Sequence, residues 1–190
     1  RELLGITWVA ETNQVWDQKF YWGYDSDNNL IPKQLNDEAI LDQDGNDTGE
    51  VQTGLKTLWK AKQNDIAASL LAPSDWRVVK ELEVNSSFAS ARTAYPSAWM
   101  TYRAAVRTAC NTRQTEIDNC SDVASLKELL FGNPEIVRTK QQQVTDSEGN
   151  GRVDGDGNPV METVNDLDDD GNIVMIANPN LATAWPDPVE

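Results

Sequence analysis

The sequence predicts an α+β fold, in which a small helical core carries an N-terminal aromatic strand-and-loop arm and a C-terminal β-hairpin extension. Apolar residues recur at three-and-four spacing between residues 54 and 132, which is typical of helices that bury one face. Aromatic residues alternate with polar ones near the start of the chain, and Asp-Gly-Asn turns separate short apolar runs after residue 133. We therefore divide the chain into residues 1–53, 54–132 and 133–190.

The composition limits both the size of the core and the choice of partners. Of the 190 residues 39% are hydrophobic, and the mean hydropathy is -0.57. Seven Trp residues offset part of this deficit, because each can bury a large area. The net charge of -15 repels phosphate backbones and anionic lipids, so we expect neither nucleic acid nor membrane as a partner.

The first segment combines a predicted strand, an aromatic cluster and a long loop. Ile6, Trp8 and Ala10 alternate with other residues and predict a short strand. The aromatic cluster that follows either packs over the core or forms an exposed anchor for a partner protein or a sugar ring. Residues 25–53 predict a long loop with one hairpin around Asp44-Gly45-Asn46. The candidate partner-binding residues are Trp16, Phe20, Tyr21, Trp22 and Tyr24, together with Trp185 near the end of the chain.

A first helix is predicted from Leu55 to residue 71, because Pro73 is a natural stop signal. Ser74 and Asp75 then cap a new turn that begins at Trp76. The segment that follows fits a short helix or a strand, and we favour the helix.

Residues 96–118 give the strongest helical pattern, with Pro96 at the first helical position. Ser121 is expected to cap a last short helix that ends at Gly132. The predicted buried face of the main helix comprises Trp99, Tyr102, Val106, Cys110 and Ile117.

The sequence contains no His, which removes the commonest general base and metal ligand. It also contains no nucleotide-binding or paired-cysteine zinc motif. Cys110 and Cys120 would be separated by ~15 Å on one helix, so we expect free thiols, which fits assembly in a reducing cytoplasm. We therefore predict a protein without catalytic residues and without cofactors.

The acidic turns allow one metal hypothesis. Asp166, Asp168 and Asp170 precede Gly171 with the spacing of the first half of an EF-hand loop, but residue 177 is Ala where the loop needs Glu. The alternative is a set of acidic hairpin turns, which the similar Asp-x-Asp-x-Asn runs at residues 42–46 and 154–158 favour. We keep the three aspartates as calcium candidates and expect no bound metal.

One ordered set of residues resembles a known family. The segment from Leu70 to Cys120 reads LLAPSDWRVVKELE, a spacer, and YPSAWMTYRAAVRTACNTRQTEIDNC. It resembles a segment of phage tail-fibre assembly chaperones and related tail proteins. The matching positions are Leu70, Leu71, Ser74, Asp75, Trp76, Pro96, Trp99, Tyr102, Arg103 and Arg107. We expect Trp76 to pack between the two main helices and Arg103 and Arg107 to pair with Asp75 or Glu81.

The opening residues WVAETNQVWDQKFYWG also resemble those of structural proteins of marine cyanophages. Together the resemblances imply a structural component of a tailed-phage virion, part of a tail, baseplate or fibre, which is assembled in the host cytoplasm. Its expected partners are other phage structural proteins and further copies of itself. Two alternatives stay open, namely a tail-fibre assembly chaperone and a carbohydrate-binding module for host recognition.

Overall fold

The computed structural model describes residues 16–85 and 97–189 and confirms the α+β class, with 37% helix and 25% strand. The chain forms two compact units. The helical unit comprises residues 1–127 and 182–190, and the hairpin unit comprises residues 128–181. The strand predicted at residues 6–10 lies outside the described residues. Within the described ranges, no helix combines the length and apolar character that crossing a membrane requires.

Two β-hairpins open the helical unit. β1 (Tyr21–Tyr24) pairs antiparallel with β2 (Leu30–Pro32), and β3 (Glu38–Leu41) pairs antiparallel with β4 (Asp47–Gln52). The hairpin predicted around Asp44 is confirmed. The prediction of a long loop with a single hairpin over residues 25–53 is wrong, because a second hairpin turns at residues 25–29 and continues into β2. Asn28 adopts the left-handed conformation (φ 65°) that this turn needs and that Asn tolerates.

The first helix, α1 (Leu55–Asn85), begins at a junction with the strands. Asp37 caps it from outside the helix, since its Oδ1 accepts the Gly54 N–H (2.7 Å) and its Oδ2 accepts the Thr57 hydroxyl (2.9 Å). A Cβ atom at residue 54 would overlap the Asn36 backbone, so this contact requires glycine. The cap therefore fixes where the helix starts relative to the β3–β4 hairpin.

α1 continues through Pro73, so the prediction that it ends there is wrong. A proline inside a helix lacks the N–H that would bond the carbonyl group four residues earlier, here that of Ser69. α2 (Ser97–Asn119) contacts α1 in the same turn: Tyr102 Oη lies 3.5 Å from the Leu70 carbonyl oxygen, and Arg103 Nη1 donates to the Leu71 carbonyl oxygen at 3.1 Å. Side chains of α2 therefore hold the turn of α1 that precedes the proline.

The continuous helix also overturns the predicted roles of Trp76 and Asp75. Trp76 is 54% exposed instead of packed between helices. Ser74 is fully buried, and at ~100° per residue Trp76 lies ~200° further round, on the opposite side of α1. Asp75 lies within α1 and caps no new turn. The preference for a helix after Trp76 is confirmed up to Asn85.

α2 runs antiparallel to α1, as contacts from Lys60–Asp118 at one end to Leu70–Tyr102 at the other show. Its predicted buried face is confirmed at Tyr102, Val106, Cys110 and Ile117. Trp99 is half-buried and meets the Tyr102 ring edge-on, with centroids 6.0 Å apart. Both cysteines are free thiols, as predicted.

α3 (Val123–Phe131) is capped by Asp122 and not by Ser121. Asp122 Oδ1 accepts the Ser125 N–H at 2.7 Å, and Ser125 Oγ accepts the Asp122 N–H at 3.2 Å. This reciprocal pair satisfies two backbone donors at the start of the helix, which Ser121 one residue earlier does not do. The helix ends before Gly132, as predicted.

The hairpin unit is a branched β structure. β5 (Glu135–Val137) pairs antiparallel with β8 (Met175–Ala177), and β6 (Thr139–Gln143) pairs antiparallel with β7 (Met161–Asn165). Three short hairpins, each closed by one bridge, project from these ladders, and their bridges are Thr145–Gly151, Val153–Pro159 and Leu167–Ile173. The short strands predicted after residue 133 are therefore confirmed.

Two three-way junctions connect these arms. At the first junction, the Arg138 N–H donates to the Val174 carbonyl oxygen (2.8 Å). The Val174 N–H donates to the Asp166 carbonyl oxygen (3.0 Å), and the Asp166 N–H donates to the Arg138 carbonyl oxygen (2.7 Å). Each residue thus donates one backbone hydrogen bond to the next and accepts one from the last. The junction joins the β5–β8 ladder, the β6–β7 ladder and the hairpin at residues 167–173.

The second junction repeats this arrangement at the far end of the β6–β7 ladder. The Val144 N–H donates to the Val160 carbonyl oxygen (2.8 Å). The Val160 N–H donates to the Arg152 carbonyl oxygen (2.9 Å), and the Arg152 N–H donates to the Val144 carbonyl oxygen (2.7 Å). It joins the ladder to the hairpins at residues 145–151 and 153–159. Backbone hydrogen bonds, more than side-chain packing, therefore set the shape of this unit.

Candidate protein-binding surfaces

Five hairpin turns share one sequence pattern, Asp-x-Asp/Glu-Gly/Asn-Asn, and one geometry. The Oδ1 of the first Asp accepts the backbone N–H groups of the third and fifth residues, and the fourth residue has a positive φ. The fifth residue, always Asn, returns its side-chain amide to the same carboxylate in each turn. The turns span residues 25–29, 42–46, 146–150, 154–158 and 168–172.

These hydrogen bonds perturb the first carboxylate of every turn. The backbone N–H of the Asn four residues later is the main cause that lowers the pKa of Asp25, Asp42, Asp146, Asp154 and Asp168. The ionised carboxylate accepts these N–H groups, so each turn stabilises its own negative charge. The turns consequently present acidic, rigid tips at the ends of the arms.

Two of the calcium candidates, Asp168 and Asp170, lie in one of these turns, and Asp166 lies at the base of the same hairpin. Asp166 accepts hydrogen bonds from Lys140 and Arg138, which lower its pKa, and its Oδ2 lies 2.5 Å from Arg138 Nη2. Asp168 Oδ1 accepts the N–H groups of Asp170 (3.0 Å) and Asn172 (2.8 Å). This geometry is that of a hairpin turn, the alternative the sequence also allowed. Among the described residues, no group of three or more Cys, Asp or Glu is arranged to hold a metal ion.

The hairpin unit exposes most of its apolar side chains. In residues 128–181, all of which the structure describes, the only buried residue is the polar Asn178, whose amide bonds Glu128 and the Asn133 carbonyl. Apolar residues face each other across strands, as in the pairs Val137–Met175 and Leu167–Ile173, but no second layer covers them. The exposed large apolar residues of the arms are Val153, Met161, Leu167, Ile173, Met175 and Ile176.

The aromatic cluster predicted to bind partners is divided by the structure. Phe20 is fully buried and stacks on Trp59, with centroids 5.6 Å apart. Trp16, Trp22 and Tyr24 are exposed. Trp22 and Tyr24 lie on β1, whose pairing with β2 shifts register between Tyr21 and Gly23, and Lys33 Nζ lies 4.7 Å from the Trp22 ring centroid.

Tyr21 lines an open cleft of about 480 Å³ between the β1–β2 hairpin and the start of α3. Pro32 and Val123 give the cleft apolar walls, and Lys33 and Asp122 add opposite charges. Burial, followed by the charge of Asp122, raises the pKa of Tyr21. The cleft can accept an apolar side chain from a partner, with Tyr21 as its aromatic wall.

Four residues of the phage-like motif, Leu71, Ser74, Asp75 and Arg103, contact one another beside Pro73. Arg103 donates to the Leu71 carbonyl and to Ser74 Oγ, and it pairs with Asp75 at 2.8 Å. The expected pairing of Arg103 with Asp75 is therefore confirmed. Arg107 is exposed, and Trp76 carries Arg77 over its ring at 4.8 Å.

Trp185 packs within its own chain, against the cluster of Ala67, Tyr102, Val106 and Cys110. The sequence offered little sign of this contact, because residues 182–189 have no periodic pattern. The shared turn motif, by contrast, could have been found by aligning the chain with itself at each Asp-x-Asp/Glu. No protein-family model, curated protein or solved structure matches this chain, so the resemblance to phage tail proteins stays a prediction.

Proposed function

We propose that this protein is a non-enzymatic structural component of a tailed-phage virion and that it acts through protein–protein assembly. The observation that carries the proposal is the hairpin unit, whose two-stranded ladders and short hairpins carry exposed apolar side chains. Isolated two-stranded hairpins are only marginally stable in water. A partner that covers these side chains would supply the burial that the unit lacks.

The charge of the hairpin unit indicates the kind of partner. Its sequence holds three Lys and Arg residues against eleven Asp and Glu residues, a net charge of -8. The acidic turns lie at the tips, and apolar pairs lie nearer the junctions. A complementary partner surface would therefore combine an apolar centre with a basic rim. The resemblance to phage tail proteins suggests that this partner is another structural protein of the particle.

The experiment replaces Met161, Leu167 and Ile173 together with polar residues and follows incorporation into particles. We expect the variant to keep its melting temperature and to be lost from purified particles, as measured by mass spectrometry. The matched control replaces Leu58 and Ile66, which are equally exposed on the helical unit. Normal incorporation of the hairpin variant would contradict the proposal, as would the absence of the wild-type chain from particles.

Absence of the wild-type chain from finished particles would instead favour the role of a tail-fibre assembly chaperone, which acts and then leaves. The motif residues do not by themselves favour a chaperone over a structural component of the virion. Arg103 and Tyr102 are engaged in supporting α1, so the motif describes the scaffold of the helical unit.

Carbohydrate binding is a second candidate function, favoured by Trp22 and Tyr24. Their side chains are exposed two residues apart on β1, and exposed aromatic rings can stack on sugars. Glycan-array binding that is lost in Trp22→Ala and kept in Trp76→Ala, another exposed Trp, would support this role. Equal binding by both variants would remove it.

A further inference from the structure

The last residues of the chain behave structurally as a bound peptide. Residues 182–189, here called the strap, follow the hairpin unit and lie on the helical unit without regular secondary structure. Every polar backbone and side-chain group of Thr183 is engaged. Glu116 accepts its N–H (2.9 Å) and its hydroxyl (2.5 Å), and Arg113 donates to its carbonyl oxygen.

Apolar contacts complete this recognition. Trp185 and Val189 pack against the core cluster of α1 and α2, and the Arg113 guanidinium lies 5.3 Å from the Trp185 ring centroid. Arg113 is itself held by Gln63 at 2.7 Å, and Gln63 is buried. The groove therefore offers the strap a fixed polar anchor and an apolar surface beside it.

The strap has the properties of a good extended ligand. Pro186 and Pro188 restrict the backbone, so little conformational freedom is lost when the segment binds. In the chain, the strap is joined to the helices through the hairpin unit, which is a compact unit of its own. These contacts involve only the strap and the helices, so a strap from another copy can make the same contacts.

We propose that the groove between α1 and α2 is a docking site for the extended segment Thr-Ala-Trp-Pro-Asp-Pro-Val, and that neighbouring copies exchange their straps. An internal strap competes at an effective concentration of about 1 mM, so dilute chains keep their own strap. Copies that are brought together in an assembly meet at comparable local concentrations, and exchange then links them. This inference rests on the helical unit and is independent of the surface on the hairpin unit.

The first experiment measures docking between separate molecules. The receiver is the full chain carrying Trp185→Ala, and the probe is a labelled peptide of residues 181–190. We expect the peptide to bind by fluorescence anisotropy and to bind at least about 10-fold more weakly when the receiver also carries Glu116→Gln, since a charge-assisted bond is lost. A peptide with Trp185→Ala is the matched control and should not bind.

The second experiment tests exchange between copies of the full chain. One variant carries a weakened strap (Thr183→Val with Trp185→Ala), and the other carries a weakened groove (Glu116→Gln). Because the groove is weakened about 10-fold, the competition from that variant's own strap falls to the equivalent of about 0.1 mM. An equimolar mixture at about 0.3 mM of each variant should therefore form a heterodimer in sedimentation measurements, because one intact strap meets one intact groove, while each variant alone stays mainly monomeric at the same concentration.

Failure of the peptide to bind, or binding that ignores both Glu116→Gln and the Trp185→Ala control, would overturn the docking site. A mixture that stays monomeric would overturn the exchange. If the double strap variant loses helicity, Thr183→Val alone replaces it, because this change keeps the Trp185 packing. Neither failure would affect the proposed role in particles, which depends on Met161, Leu167 and Ile173.

Discussion

The helical unit and the hairpin unit reach defined shapes by different means. The helical unit buries Phe20, Leu55, Val106, Ile117 and Leu126 almost completely, so the hydrophobic effect stabilises it. The hairpin unit buries one polar residue and is organised by turns and by the two junctions. The difference teaches that turn chemistry and backbone hydrogen bonds can specify a shape where no apolar core is buried.

The largest expected effect breaks the core of the helical unit. Phe20→Ala removes a fully buried ring that stacks on Trp59 and should lower the free energy of unfolding by about 3–5 kcal/mol. Trp22→Ala, two residues away and exposed, should cost less than about 1 kcal/mol. Urea denaturation followed by circular dichroism compares the two, and equal losses would contradict the assignment of Phe20 to the core.

Arg103→Ala tests the support around Pro73. The change leaves the Leu71 carbonyl and the buried Ser74 hydroxyl without this donor and should cost about 2–3 kcal/mol. Arg107→Ala, one turn further along α2 and exposed, should change stability by less than about 0.5 kcal/mol. Thermal unfolding of both variants measures the difference. A similar melting temperature for both would show that α1 tolerates Pro73 without α2.

Trp185→Ala sharpens the comparison, because it concerns a segment that joins the helical unit from beyond the hairpin unit. Loss of this half-buried ring should cost about 2 kcal/mol. It should also speed alkylation of Cys110, which lies in the cluster that Trp185 covers, while the half-buried Cys120 serves as the internal reference. An unchanged rate at Cys110 would contradict strap packing. Deleting residues 141–190 should therefore destabilise the helices, whereas a C-terminal extension that did not pack on them could be removed without this loss.

The smallest effect is local and depends on pH. In the folded turn, hydrogen bonds lower the pKa of Asp42. The ionised carboxylate therefore stabilises the turn fully at pH values above the pKa of Asp in the unfolded chain, which is about 3.9. This stabilisation is lost as the pH falls through the lower pKa that Asp42 has in the folded turn. The amide shift of Asn46, whose N–H lies 2.8 Å from Asp42 Oδ1, should titrate below the usual Asp range.

Asp42→Asn provides the control for this titration, because its side-chain oxygen still accepts hydrogen bonds but does not ionise in this range. In this variant, NMR should show an Asn46 amide shift that no longer changes with pH in the acidic range. A wild-type midpoint at or above the ordinary Asp value would contradict the shared turn geometry.

Local patterns predicted the parts of the fold that local interactions determine. The buried face of α2 follows from its spacing, and the turn at residues 42–46 follows from Asp-Gly-Asn chemistry. The continuation of α1 through Pro73 was not predicted, because the Tyr102 and Arg103 side chains that contact α1 beside the proline lie 32 residues from their acceptors in the chain. Trp76 was placed wrongly for the same reason, since its direction depends on whether the helix continues.

The candidate surfaces were predicted less well. The sequence identified the exposed Trp22 and Tyr24 but grouped them with Phe20 and Trp185, which pack inside the chain. Aromatic composition does not distinguish a buried ring from an exposed one without knowledge of the strand faces. The strap was missed because its partners, Arg113 and Glu116, lie about 70 residues earlier in the chain.

The two three-way junctions have a consequence for how this protein can vary. The three hydrogen bonds that close each junction join backbone groups, so an arm can grow or shrink without changing the residues that meet at its base. Side chains alternate between the two faces of a strand. Adding one residue to each strand of an arm would therefore move the side chains beyond the insertion to the opposite face. Adding two residues to each strand would keep them on the same face. Natural variants and engineered insertions should therefore lengthen the arms in steps of four residues.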